Sequence, residues 1–193
     1  ILIVDNASTD DTPGVLYEAG YINELIPNAQ SQLCESNSRL NINRGVVNIT
    51  YNRMPQNTGG AGGFHQGVKR GYELGYEWIW LMDDDGIPKN DALEELLRHR
   101  ASAMFLNSLV LNNESTSNLS FGLRDKRTSK RIMRQSEALS SSIDGLILDS
   151  VNPFNGTLVS RELISTIGLP IKEMFIWGDE VEYQLRASRA GLG

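Results

Sequence analysis

Two short apolar runs, each closed by acidic residues, constrain the fold of this chain more than any other feature. Residues 1–4 read Ile-Leu-Ile-Val and stop at Asp5-Asn6; residues 77–82 read Glu-Trp-Ile-Trp-Leu-Met and stop at Asp83-Asp84-Asp85-Gly86. Short continuous runs of this kind, rich in β-branched or aromatic residues, predict buried strands of a parallel sheet. The alternating stretch Val46–Asn52 predicts another strand, and Val68 and Tyr72, four apart, predict a helix over 68–76. Asp91 to Glu94 resembles a capping box ahead of a helix carrying Leu93, Leu96 and Leu97. Residues 160–170 predict a short helix with Leu163, Ile164 and Ile167 inward, Gly168 as its C-cap and Pro170 beyond. Residues 180–191 predict a last helix ending at Gly191. Strands alternating with helices give an α/β class with a mostly parallel sheet flanked by helices.

The 193 residues suit one domain over 1–193, expected to be trimmed at both ends, with 107–150 as a Ser- and Asn-rich variable insertion. Net charge is −6, and the one basic cluster is the short stretch 124–131. A nucleic-acid partner is therefore not expected. The lone cysteine, Cys34, allows no internal disulfide and predicts an intracellular chain. No apolar run has the length of a membrane span.

In open α/β sheets ligands bind beyond the carboxyl ends of the strands. Three polar stretches are predicted there: Asp5-Asn6, the glycine stretch 57–67 and Asp83–Asp85. The glycine stretch, read as a loop, is no dinucleotide fingerprint, since from Gly60 that register meets His65. It also lacks the Gly-Lys-Ser/Thr of a P-loop. Its small residues at 59–63 allow a backbone to approach a ligand, or form a plain flexible turn. The aspartate triplet does not match a calcium loop, having its glycine fourth and Ile87 where a ligand belongs. It reads either as a solvated acidic turn or as the one or two carboxylates that Mg²⁺ or Mn²⁺ takes alongside ligand phosphates. Asp179, Glu180 and Glu182 open a helix, where the macrodipole favours carboxylates. The alternative role is a general base. His65 and His99 are the only histidines, and neither has metal-ligand spacing; His99 reads as a surface residue near a helix end.

Together, ILIVDNASTDDT, NTGGAGGFHQGV, WIWLMDDDGIP and NGTLVSRELISTIGLP followed by MFIWGDEVEYQLR resemble, in order, the family-two inverting glycosyltransferases with the GT-A fold. The combination looks most like the galactofuranosyltransferase branch, with rhamnosyltransferases as near neighbours. The resemblance implies a Rossmann-like nucleotide-diphospho-sugar transferase fold and a hexosyltransferase that acts with inversion. It implies a UDP- or dTDP-linked sugar donor, galactofuranose or rhamnose, and a glycan or lipid-linked acceptor in cell-envelope polysaccharide synthesis. It also implies Mn²⁺ or Mg²⁺ as cofactor, a cytoplasmic location at the inner face of the membrane, and peripheral membrane association. By the same resemblance, Asp5, Asn6, Asn57, Gly59, Gly60, Gly62, Gly63, Asp83 and Asp84 serve the donor. Asp83 and Asp85 hold the metal, Glu180 with Asp179 beside it supplies the base, and Trp177 and Asn155 face the acceptor. A sugar nucleotidyltransferase would place a glycine-rich loop with a basic residue after the first strand, where this chain has Asp5–Asp10. A non-catalytic metal- or carbohydrate-binding module would account for the aspartates but not for Glu180 or the glycines.

Overall fold

The computed structural model describes residues 1–26, 31–124, 128, 130–148, 150 and 152–193. Part of the basic cluster at 124–131 lies outside the described residues. The chain forms two compact units, residues 1–74 with 170–177 and residues 75–169 with 178–193.

The first unit is built on β1 (Leu2–Asp5), α1 (Thr12–Glu18), β2 (Cys34–Ile42), β3 (Gly45–Arg53) and α2 (Gly59–Glu73). The sheet order is β1-β3-β2. β1 runs parallel to β3, pairing Ile3 with Tyr51 and Asp5 with Arg53; β2 and β3 form an antiparallel hairpin. Ile22, Ile26 and Tyr51 form its core with Ile3, Leu16 and Cys34. The Arg70 guanidinium donates to both carboxylate oxygens of Glu35, each at 2.6 Å, and so ties α2 to β2.

The second unit contains β4 (Trp78–Leu81), α3 (Ala92–Arg98), β5 (Phe105–Asn107), β6 (Asn118–Arg124), β7 (Arg131–Arg134), α4 (Gln135–Ser140), β8 (Thr157–Ser160), α5 (Arg161–Ile167) and α6 (Asp179–Arg189). β8 lies between β4 and β5 and is antiparallel to both. Leu96, Leu106 and Leu158 pack beneath this sheet with Trp78, Trp80, Leu93 and Leu97. β6, β7 and α4 carry a small core of their own, Leu119, Leu123, Ile132 and Ala138. Among the described residues, the stretch read as an insertion, where some strand was expected, carries the β6–β7 hairpin and α4.

The α/β class holds, but a mostly parallel sheet does not. β1–β3 is the one parallel pair among the described strands, and β1 and β4 belong to different sheets. β2 explains part of the difference. Its polar sequence, CESNSRLNI, hides a strand because each inward residue is a small polar or half-buried one, Ser36 and Ser38 being buried. The two apolar runs are also less buried than expected: Leu2–Val4 and Trp78–Trp80 are half-buried, with Asp5 and Leu81 buried at their ends.

The glycine stretch is not a loop. Gly59–Gly63 opens the fifteen-residue helix α2. Five small residues form a helix here, despite the entropy that glycine loses, because the first turn is held from outside. Asn6 Oδ1 accepts from the Thr58 N–H at 3.0 Å, Asn57 Oδ1 from Gly59 at 2.8 Å and the Phe175 carbonyl from Ala61 at 3.0 Å. The capping box at Asp91 does not form, and Glu94 and Glu95 pair with Arg98 instead. α5 behaves as predicted: the Ser160 Oγ accepts from Leu163 N–H at 3.0 Å, and Gly168 closes it at φ +80°. No helix among the described residues is long and apolar enough to cross a membrane.

Candidate active site

In the first unit the end of β1 is a buried charge cluster. Asp5 is 4% exposed and Arg53 1%. Tyr51 and Arg53 lie two apart on β3 and so face the same way. Their phenol and guanidinium both donate to Asp5 Oδ2, while Ser8 N–H donates to Oδ1 at 2.7 Å. Arg53 also donates to the Ser8 carbonyl at 2.7 Å. Burial opposes the ionisation of Asp5, but the bonds from Tyr51 and Ser8 and the charge of Arg53 outweigh it, and its pKa falls below the ordinary value. Burial and the neighbouring carboxylate push the Tyr51 phenol up to about 12. Asp5 thus spends its lone pairs on ordering the 5–8 turn.

Asn6 is equally engaged. Its amide donates to Asn57 Oδ1 at 3.2 Å and to the Gly59 carbonyl at 2.8 Å, and its oxygen receives both the N–H and the hydroxyl of Thr58. Asp5, Asn6, Asn57 and Gly59 are thereby brought together at the end of β1. Within the glycines the spaces differ. A Cβ on Gly59 would meet the Phe175 carbonyl oxygen at 2.0 Å, and one on Gly62 would meet Thr58 Oγ1 at 2.0 Å. Gly60 has nothing within 4 Å, and Gly63 has only the Asn6 amide at 4.0 Å. At Gly60 and Gly63 a Cβ would meet no close neighbour.

In the second unit β4 ends at the aspartate turn, closed by Gly86 N–H on the Asp83 carbonyl at 3.2 Å. Gly156, just before β8, donates to the Leu81 carbonyl at 2.9 Å, so the Asn155-Gly156 corner sits at the same sheet end. A Cβ on Gly86 would meet Asn155 Oδ1 at 2.3 Å. Asp83, Asp84 and Asp85 are exposed, and no Lys, Arg or His pairs with them among the described residues. Desolvation, then the charges of Asp85, Asp84 and Asp179, hold the Asp83 carboxyl above the usual range. Asp179 is therefore close enough to act on the turn.

Asp179 and Glu180, 5% and 9% exposed, open α6 behind the left-handed Gly178, φ +91°. Burial raises the Glu180 pKa, and the adjacent Asp179 carboxyl adds to it against the backbone bonds at Glu180 and Gly178. The rest of the motif is an anchor. Tyr183 is fully buried between Phe105 and Phe154 and donates to the Gly168 carbonyl at 2.9 Å. Arg186 donates to the carbonyls of Ile167 and Leu169, pairs with Glu182 and lies over the Tyr183 ring. These bonds fix the helix that carries the acid pair.

Trp177 belongs to the first unit and is 69% exposed at φ +72°. With Phe175 at φ +62° it makes two left-handed non-glycine residues in three, each costing on the order of 1–2 kcal/mol. His65 lies on α2 with its Nδ1 2.7 Å from the Pro170 carbonyl. His99 is the half-buried C-cap of α3 rather than a plain surface residue. Sequence reasoning missed Tyr51 and Arg53. The strand predicted over Val46–Asn52 stops one residue short of Arg53, and its pairing with β1 comes only with the fold.

No group of three or more His, Cys, Asp or Glu among the described residues forms a metal cage. The unpaired aspartate turn nonetheless suits a hard cation that keeps most of its coordination for other oxygens, as Mg²⁺ does with phosphates. Residues 1–104 match the sequence family described as Glycosyl transferase family 2, and the chain belongs to that family, which carries the GT-A fold. The chain is 35% identical over 150 residues to galactofuranosyltransferase GlfT1 of Mycolicibacterium smegmatis, covering 76% of this chain and 50% of that protein. It is 35% identical over 149 residues to GlfT1 of Mycobacterium tuberculosis H37Rv, covering 76% and 48%. The chain spans about half the length of these curated relatives. No solved structure matches it.

Proposed function

We propose that the chain carries the donor and catalytic parts of a metal-dependent inverting glycosyltransferase that moves galactofuranose from UDP-galactofuranose to a glycan or lipid-linked acceptor of the cell envelope. The observation that carries this reading is the buried Asp179–Glu180 pair, whose Glu180 carboxyl is raised by burial and by its neighbour. A direct displacement at the anomeric carbon needs a base on the acceptor hydroxyl, and a carboxylate of raised pKa is a stronger one. The displacement also needs positive charge on the departing diphosphate. Asp83 and Asp85 are the residues that would hold Mn²⁺ or Mg²⁺, which when bound neutralises that charge as a Lewis acid.

In this reading Asp84 lies beside the donor sugar. Asp5 serves the nucleotide indirectly, by ordering Ser8 and Arg53, and Asn6 and Asn57 do so by holding the start of α2. Gly59 and Gly62 keep that helix start close to its neighbours, and Gly60 and Gly63 offer the open backbone. Trp177 and Asn155 serve the acceptor. The galactofuranose assignment leans on the names of the relatives and on the combination of GGAGGF with MDDD. A donor screen tests it: product is expected from UDP-galactofuranose with Mn²⁺, formed far more slowly after Glu180→Gln. Turnover of a dTDP-hexose with UDP-galactofuranose ignored would contradict the donor assignment.

A further inference from the structure

We propose that His65 is a positioning residue that fixes the segment Pro170–Trp177; the proposal rests on the transferase reading above. A carbonyl oxygen only accepts, so His65 donates its Nδ1–H to Pro170, whose side chain is fully buried. One turn earlier in α2, the Ala61 N–H donates to the Phe175 carbonyl at 3.0 Å. Gly59 completes the seat, because any Cβ there would lie 2.0 Å from that same carbonyl and 2.8 Å from the Phe175 ring. One helix thus grips both ends of a short span: His65 at its start, and Ala61 and Gly59 near its end. Between the grips runs a single 3-10 turn, Lys172–Met174, and beyond them stands the left-handed Trp177.

The grip has work to do. Phe175, Ile176 and Trp177 are 53%, 59% and 69% exposed, so little burial holds them. Two of the three occupy φ values that a free chain avoids, and such residues persist only where their surroundings over-determine them. The segment ends on Trp177, the residue that the transferase reading gives to the acceptor. His65 therefore acts on the acceptor step through Trp177, without touching the acceptor.

The test uses the full chain as wild type, His65→Ala and His65→Asn, with Gly67→Ala as a helix control whose Cβ would meet only Val4 at an ordinary 3.6 Å. Two readouts are taken: amide hydrogen exchange of residues 170–177, and acceptor KM and kcat with UDP-galactofuranose and an octyl galactofuranoside as probes. His65→Ala is expected to speed exchange about tenfold and to raise the acceptor KM by a similar factor, the scale of one lost hydrogen bond to a buried carbonyl. The thermal shift given by UDP with Mn²⁺ stays unchanged. His65→Asn, whose amide N–H reaches the place of Nδ1, restores both readouts, and Gly67→Ala moves neither. Unaltered exchange in His65→Ala overturns the proposal, and so does faster exchange with unaltered kinetics. A wild-type chain that transfers nothing counts against the transferase reading, and the exchange arm then decides the grip by itself.

Discussion

Asp5 and Glu180 are both buried carboxylates, and their surroundings push them in opposite directions. Asp5 has Arg53, Tyr51 and Ser8 as partners, so its folded pKa lies below 3.8. The stability it contributes is fully present above that ordinary value and is lost as pH falls through the folded value. Asp5→Asn leaves Arg53 buried without its counter-charge, and breaking such a pair costs about 3–5 kcal/mol. Urea unfolding at pH 7 is expected to show a loss of that size, and its acid-side dependence is expected to flatten. Glu180 has no cation partner among the described residues, and its folded pKa lies above 4.5. Its ionisation therefore costs stability, and the cost grows as pH rises from 4.5 through the folded value. Glu180→Gln is expected to raise Tm at pH 8 and to leave it nearly unchanged at pH 4. The same change is expected to lower kcat about 10²- to 10⁴-fold, the usual worth of a general base. A variant that loses stability at pH 8, or keeps its turnover, would contradict the role given to Glu180.

At the scale of elements, α2 makes the sharpest claim. Helix propensity alone says that alanine stabilises every glycine in it. The packing says otherwise for two of them. Gly60→Ala is expected to stabilise by about 0.5–1 kcal/mol, since its Cβ meets open space. Gly62→Ala is expected to destabilise by about 1–3 kcal/mol by overpacking Thr58. Thermal unfolding of the two variants checks the opposite signs. This helix also shows what a sequence hides. Five small residues in a row carry no periodicity, and their helical state depends on Asn6 and Phe175, both remote in the chain. β2 was illegible for a related reason, because its pairing with β3 rather than any apolar alternation makes it a strand. By contrast α5 and α6 were legible from Gly168 and Gly191, whose capping chemistry is local. The candidate site residues are named by type, as carboxylates and glycines at the ends of runs. Their partners are not, since Tyr51, Arg53 and Pro170 reach them across the fold.

At the scale of the whole molecule, the chain is acidic, with net charge −6, and among the described residues no cation pairs with its three adjacent aspartates. Their mutual repulsion is what a divalent ion arriving with a nucleotide diphosphate would offset. Such a chain is expected to bind nucleotide and metal together and each weakly alone. The most direct measurement is a thermal-shift titration of the wild type and Asp85→Ala with UDP, in the presence and absence of Mn²⁺. Binding to the folded state raises apparent stability by mass action. The account predicts a UDP shift in the wild type that needs Mn²⁺ and disappears in Asp85→Ala. A UDP shift of equal size without Mn²⁺, or one that survives in Asp85→Ala, would contradict it.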